Sequence, residues 1–274
     1  MLFRSGASLP EELAARAVEL GYDALALTDH DGVYGSLEFA HAAKALGLRA
    51  ITGAEVSLEG DAHITLLCET SQGYANLCRL LTRAHAGTRR EGKESREPLP
   101  PVVTIDDVVA LAEGLICLSG CARNGLAVVN PTGAARLSRA FPGSFYIEMQ
   151  RPFERGDARR NRALIDLAAA LGVSTVATGD VHAHHPKRGR LQDALVAIRH
   201  RTSLDGSERE RRGNHEFVLA SPEEMLDRLP RDAALRSREI ADRCQFDLTQ
   251  ELGYRYPDFS DGPDRKSTRL SSHT

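Results

Sequence analysis

Apolar residues along this chain fall into short runs separated by amphipathic stretches, and the runs set the expected elements. Ser8-Leu9-Pro10-Glu11 reads as a capping box opening a helix whose apolar positions recur through Leu20, with Gly21 closing it. Asp23 to Asp29 reads as a strand, Gly35 to Leu46 as a helix ended by Gly47, and Ala50 to Leu58 as the next strand. His63 to Cys68 is a third apolar run, followed by a helix over Tyr74 to Ala86. Leu115 to Leu118, Ser144 to Met149 and Ser174 to Thr178 read as further strands, with helical segments near Ile105 to Ala112, Thr132 to Ala140 and Ala158 to Leu171 between them. Strand and helix in alternation predict an α/β fold, a mostly parallel sheet or barrel with helices outside.

Composition narrows this picture. With 274 residues, 42% of them hydrophobic, the chain can bury a real core, and one α/β domain with a short appendage is expected. A net charge of -3 gives no bulk electrostatic reason for a nucleic-acid or membrane partner. The five cysteines, Cys68, Cys78, Cys117, Cys121 and Cys244, form no CxxC pair, which favours reduced thiols in a cytoplasmic protein. No apolar run reaches membrane-spanning length.

The charged, proline-rich stretch Thr88 to Pro101 reads as a surface excursion within one domain, because alternation resumes after it. Leu2 to Ser5 and Asp264 to Leu270 resemble translated sequencing-adapter ends, so residues 1–5 and 264–274 are set aside as scars. Beyond Asp205 the pattern changes: Ser221-Pro222-Glu223-Glu224 caps a short helix and Arg231 to Cys244 reads as another, before Tyr254-Arg255-Tyr256-Pro257. The basic residues Lys187, Arg188, Arg190, Arg199, Arg201 and Arg209 to Arg212 are interspersed with Asp193, Asp205, Glu208 and Glu210, as on a solvated helical face.

Polar residues with ligating chemistry stand at the ends of these strands. Asp29 and His30 close the first, Glu55 lies in the second and His63 starts the third. Cys121 comes after the fourth, Glu148 closes the fifth, and Asp180 and His182 come after the sixth. Each has a bland reading alone: a helix cap for Asp29, a satisfied core histidine for His63, a small buried hydrophobe for Cys121. Their co-occurrence changes the reading, because the carboxyl ends of strands in a parallel α/β barrel converge on one face. Imidazole, carboxylate and one thiolate suit zinc or manganese, and ions about 3.5 to 4 Å apart clamp a phosphoester and activate water. The expected ligands are His30, Glu55, His63, Cys121, Asp180 and His182. Glu148 either orients a ligand or pairs with Arg151, and His184 and His185 are expected outside the ligand shell.

The ordered series T-D-H-D-G, G-A-E, H-I-T-L-L, L-S-G-C and G-D-V-H resembles the polymerase and histidinol phosphatase (PHP) family. Leu191 to Asp205, Arg211 to Leu219, Ser221 to Met225 and Phe246 to Thr249 resemble the region just after that domain in bacterial C-family DNA polymerases, especially the error-prone alpha-subunit paralogue. The resemblance implies a distorted seven-stranded β/α barrel with up to nine ligands for three ions, then a short, mostly helical extension. It places the domain at residues 6–205 and the start of the adjoining polymerase region at 206–263. It also implies that an opening H-x-H strand and an acidic residue are missing, since Gly6-Ala7-Ser8 comes directly after Ser5. Weak ion binding, little turnover and an unpaired barrel edge are the expectations for the chain as written.

Three function classes are open. The first is an N-terminal fragment of an error-prone polymerase acting in DNA replication and repair, with magnesium, DNA and other replication or translesion subunits belonging to the parent. The second is a free-standing phosphatase of the histidinol-phosphate type, and the third a structural module without metal. The polymerase-like stretch after Asp205 argues against the second, and metal content separates the first from the third.

Overall fold

The computed structural model describes residues 6–88 and 99–252. Its six strands are β1 (Ala24–His30), β2 (Arg49–Leu58), β3 (Ala62–Cys68), β4 (Leu115–Leu118), β5 (Phe145–Met149) and β6 (Ser174–Ala177), joined in that order in one sheet. The helices are α1 (Pro10–Glu19), α2 (Ser36–Ala45), α3 (Ser71–Ala86), α4 (Ile105–Ala110), α5 (Leu126–Val129), α6 (Pro131–Ala140), α7 (Asp157–Leu171), α8 (Gly189–Arg199), α9 (Pro222–Arg228) and α10 (Arg231–Arg243). The expected α/β class and nearly every expected element are present. Six strands among the described residues stand against the seven of the resemblance.

Strand direction differs from the expectation at one place. β1 and β2 are parallel, as are β4 with β5 and β5 with β6, but β3 runs antiparallel to both β2 and β4. The cause is a tight turn at Glu59-Gly60-Asp61, where Gly60 and Asp61 take φ of +83° and +60°, so no crossover helix separates β2 from β3. Reversal brings the first residues of β3 beside the last of β2, with Ser57 opposite His63 and Glu55 opposite Thr65.

Side chains alternate between the two faces of each strand. Val56, Leu58, Ile64, Leu66, Cys117 and Ile147 face outward into the main core with α3, α6 and α7. Ile51, Leu67, Ile116, Leu118, Tyr146 and Val176 face inward and pack with Ile240 and Cys244 of the α10 end, which plugs the bottom of the curled sheet. Arg243 fixes that plug, donating to Glu69, to the Ser144 hydroxyl and to the Gly143 carbonyl. Ile240 and Cys244, though beyond Asp205, thus share a core cluster with the inward strand residues. The two sheet edges, β1 and β6, share no ladder among the described residues. Both line one cavity of about 580 Å³, with Leu27 on one side and Val176 on the other.

Local signals hold with one correction. The box at Ser221 and Glu224 forms as expected, each group accepting from the other's backbone N–H. The first helix does not cap on Ser8. Leu9 is its N-cap residue and donates its N–H to Glu12, while Ser8 Oγ contacts His184 Nδ1 at 2.7 Å and accepts from the His184 N–H. The tertiary contact with the β6–α8 loop outcompetes the local box. Of the excursion after α3, residues 89–98 lie outside the described ones, as do both adapter-like ends and Tyr254 to Pro257. Its described flanks close on each other, Leu99 N–H donating to the Thr88 carbonyl at 2.9 Å.

Gly120, just before Cys121, has φ +89°, and a Cβ there would meet the His63 carbonyl oxygen at 2.3 Å and Gly125 Cα at 2.7 Å. Gly143 has a similar φ of +72° with open space around it. Gly143→Ala should therefore cost only left-handed strain, about 1 kcal/mol, and Gly120→Ala about 1–3 kcal/mol more because backbone has to shift. Urea unfolding of the two variants measures the difference; equal losses would mean that the Gly120 turn relaxes freely.

Candidate metal centre

The alternation that packs the half-buried Leu25 and Leu27 toward α1 and α2 and turns Ala24 and Ala26 inward also sorts the polar end of β1. His30 faces the interior. Asp29 faces the helix layer, where its Oδ2 accepts from Gly35 N–H at 2.7 Å in the turn leading to α2. Asp31, at φ +51°, accepts from the backbone and hydroxyl of Ser57. Of Asp29, His30 and Asp31, then, the two acids build the turn and the histidine reaches the mouth.

At that mouth His30 Nδ1 lies 2.6 Å from Glu55 Oε1, and His63 Nε2 lies 3.8 Å from Glu55 Oε2. Burial disfavours charge on both members of the His30–Glu55 pair, but their mutual hydrogen bond wins. The His30 pKa is raised and that of Glu55 lowered, each shift favouring the charged form. Burial lowers the His63 pKa, and its Nε2 accepts the Cys121 backbone N–H at 2.9 Å. Cys121 itself is buried, and burial followed by the nearby Asp180 carboxylate pushes its thiol up to about 12. It is therefore a thiol in this state and no nucleophile.

Across the mouth His182 Nε2 lies 3.0 Å from Asp180 Oδ1, and the His30 and His182 rings stack with centroids 6.5 Å apart. Asp180 takes φ +46°, and Arg212 Nη1 donates to its Oδ2 at 3.0 Å. Burial would raise the Asp180 carboxyl, but His182 and Arg212 outweigh it and hold the group well below the usual carboxylate range. All six expected side chains thus lie around one mouth, while His184 sits with Ser8 and Glu12 and His185 caps Lys187 N–H. Among the described residues no three His, Cys, Asp or Glu groups stand in the geometry that holds an ion.

Two features escape the sequence reading. Arg212 belongs to no helix and is not on a solvated face: its guanidinium packs 3.9 Å from the Phe217 ring centroid, beside Asp180. Arg211 and Arg188 likewise pair internally, with Asp193 and Glu12. Glu148 does not pair with Arg151, which reaches the Arg228 carbonyl instead. Its Oε1 accepts from the Thr178 hydroxyl and from Gln150 Nε2 at 2.9 Å, and Gln150 in turn accepts the Ala122 N–H. A buried network below the mouth therefore ties the ends of β5 and β6 to the loop that carries Cys121. A polar inward position between apolar ones, as in Tyr146-Ile147-Glu148, is the signal that marks it.

Residues 2–152 match the model of the PHP domain, a span that ends before β6. An error-prone DNA polymerase of Symbiobacterium thermophilum is 35% identical over 277 residues, covering 94% of this chain and 25% of its own length. One of Anaeromyxobacter dehalogenans is 40% identical over 260 residues, covering 92% of this chain and 22% of its own length. The chain therefore spans about a quarter of the curated relatives it matches. Among solved structures, an amidohydrolase from Chromobacterium violaceum with bound sulfate and no metal aligns at TM-score 0.48 and 19% identity, over 67% of this chain and 85% of that one.

Burial holds the Glu148 carboxyl at about 7, against 4.5 ordinarily. Between those values the folded protein keeps a proton that the unfolded chain has released, so stability falls as pH rises through that window. Glu148→Gln retains an oxygen for Thr178 and Gln150 and removes the titration. The variant should exceed the parent at pH 8 by about 1–3 kcal/mol, the gap closing toward pH 4. Urea unfolding in a chelator measures this, and a gap that does not change with pH would place the titration elsewhere.

Proposed function

The chain belongs to the PHP domain family, and on that premise we propose that it is the PHP portion of an error-prone DNA polymerase whose mouth is a divalent-metal phosphoesterase centre. Residues 6–205 make up the PHP domain in this reading, and those from 206 onward begin the polymerase region. DNA as substrate, magnesium at the polymerase site, work in replication and DNA repair, a cytoplasmic setting and contacts with other replication or translesion subunits belong to the whole polymerase. The observation that carries the reading is the facing of two imidazole–carboxylate pairs, His30 with Glu55 and His182 with Asp180, across one mouth.

The donor set fits zinc or manganese: imidazole nitrogens, carboxylate oxygens and one thiol, on strand ends that a buried network braces. His30, Glu55, His63, Cys121, Asp180 and His182 would hold the ions. Such ions supply Lewis-acid polarisation of a phosphoryl oxygen and a nucleophile at neutral pH. The chain's own residues hold the charge balance. Each carboxylate has a basic partner, Glu55 in His30 and Asp180 in Arg212, which an ion held there would replace. Glu148, Thr178 and Gln150 lie one step back and orient the strand ends. No helix among the described residues is long and apolar enough to cross a membrane.

Equilibrium dialysis against manganese or zinc, read by plasma mass spectrometry, tests the centre. The chain should retain ion above background, and His182→Ala should weaken retention by roughly 10–100-fold, with the unfolding midpoint little changed. No ion above background in the parent chain would favour a structural module instead.

A further inference from the structure

We infer that Arg212 is a displaceable latch: its guanidinium occupies a cation position between Asp180 and His182, and a divalent ion binding those two residues has to expel it. The inference rests on the metal reading of the mouth. Arg212 Nη2 lies against His182 Nε2, the ring nitrogen that also faces Asp180 Oδ1 at 3.0 Å. The second arm, Nη1, donates to Asp180 Oδ2 at 3.0 Å. One guanidinium thus occupies the space beside an imidazole nitrogen and a carboxylate oxygen, the two groups that an ion there requires. While it stays, neither donor is available.

The way Arg212 is mounted suits release. Its segment lies between a fixed point at Ser207, fully buried, and another at Phe217, whose carbonyl accepts the His182 N–H at 2.9 Å. From Glu208 to Glu216 the chain has no helix or strand, and no residue in it is fully buried. Asn214 ties the segment to the Pro152 carbonyl, and Arg211 pairs with Asp193. These are part-buried polar contacts, joined by the His215–Asp193 and Glu216–Arg228 pairs, and the guanidinium packs on the face of Phe217, 3.9 Å away. The strap can therefore lift without opening the core, while the Phe217 and Val218 attachments to His182 and Ala183 stay in place.

Manganese affinity of the full chain, measured by equilibrium dialysis for the parent, Arg212→Gln and Arg212→Lys, tests the latch. Removing a competing internal cation should tighten binding by about tenfold in Arg212→Gln. Lysine keeps the charge but not the two-armed reach, so Arg212→Lys should fall between them. Saturating manganese should also speed trypsin cleavage at Arg209, Arg211 and Arg212 in the parent, a readout that a purely structural arginine does not move. Unfolding midpoints check that both variants fold. If the parent binds manganese and Arg212→Gln binds it equally or more weakly, the latch is overturned and the metal reading survives. If neither parent nor Arg212→Gln binds ion, both fall, and Arg212 is a permanent internal cation.

Discussion

The reversal of β3 is the constraint on which the mouth depends. If β3 ran parallel to its neighbours, His63 would start at the far end of the curled sheet, against the α10 plug. The turn at Gly60 and Asp61 sets it opposite Ser57 instead, within 3.8 Å of Glu55. Gly120 then passes so close to the His63 carbonyl that no side chain fits, which puts the Cys121 N–H on His63 Nε2. One tight turn thereby delivers an imidazole and a thiol to a rim that the other strands reach with their carboxyl ends.

The same two-residue alternation divides the interior into levels. Near the plug the inward side chains are apolar, Ile51, Leu67, Leu118 and Val176. Toward the mouth they become Glu55, Thr65 and Glu148, with Thr178 just past β6. Charges at that depth survive only with partners, and the partners are arranged in tiers. Glu55 and Asp180 ionise because cations face them, whereas Glu148, with neutral donors around it, rises to about 7.

Much of this is legible in the sequence. Apolar period and punctuation mark the strands and helices within a few residues, and the ligand-type residues stand at strand ends where the pattern puts them. Periodicity reports which face a residue takes, not which way its strand runs, so the β2–β3 reversal is carried only by the turn at Gly60. Ser8 reads as a cap because a capping box is local, yet His184, far along the chain, claims its hydroxyl. Arg212 is hidden for the same reason: its neighbours Arg209 to Arg211 make it look solvated, and nothing within its own segment points to Asp180. Contacts set by long-range closure leave no local pattern to read.

In the proposed reading this mouth holds divalent ions through both of its imidazole–carboxylate pairs. Diffraction from manganese-soaked crystals, recorded at an energy where manganese scatters anomalously, tests it most directly. An anomalous peak is expected within coordination distance of His30, Glu55 and His63, and a second against Asp180 and His182 with the Arg212 side chain displaced. Peaks only at surface carboxylates, with Arg212 still seated on Asp180, would contradict it.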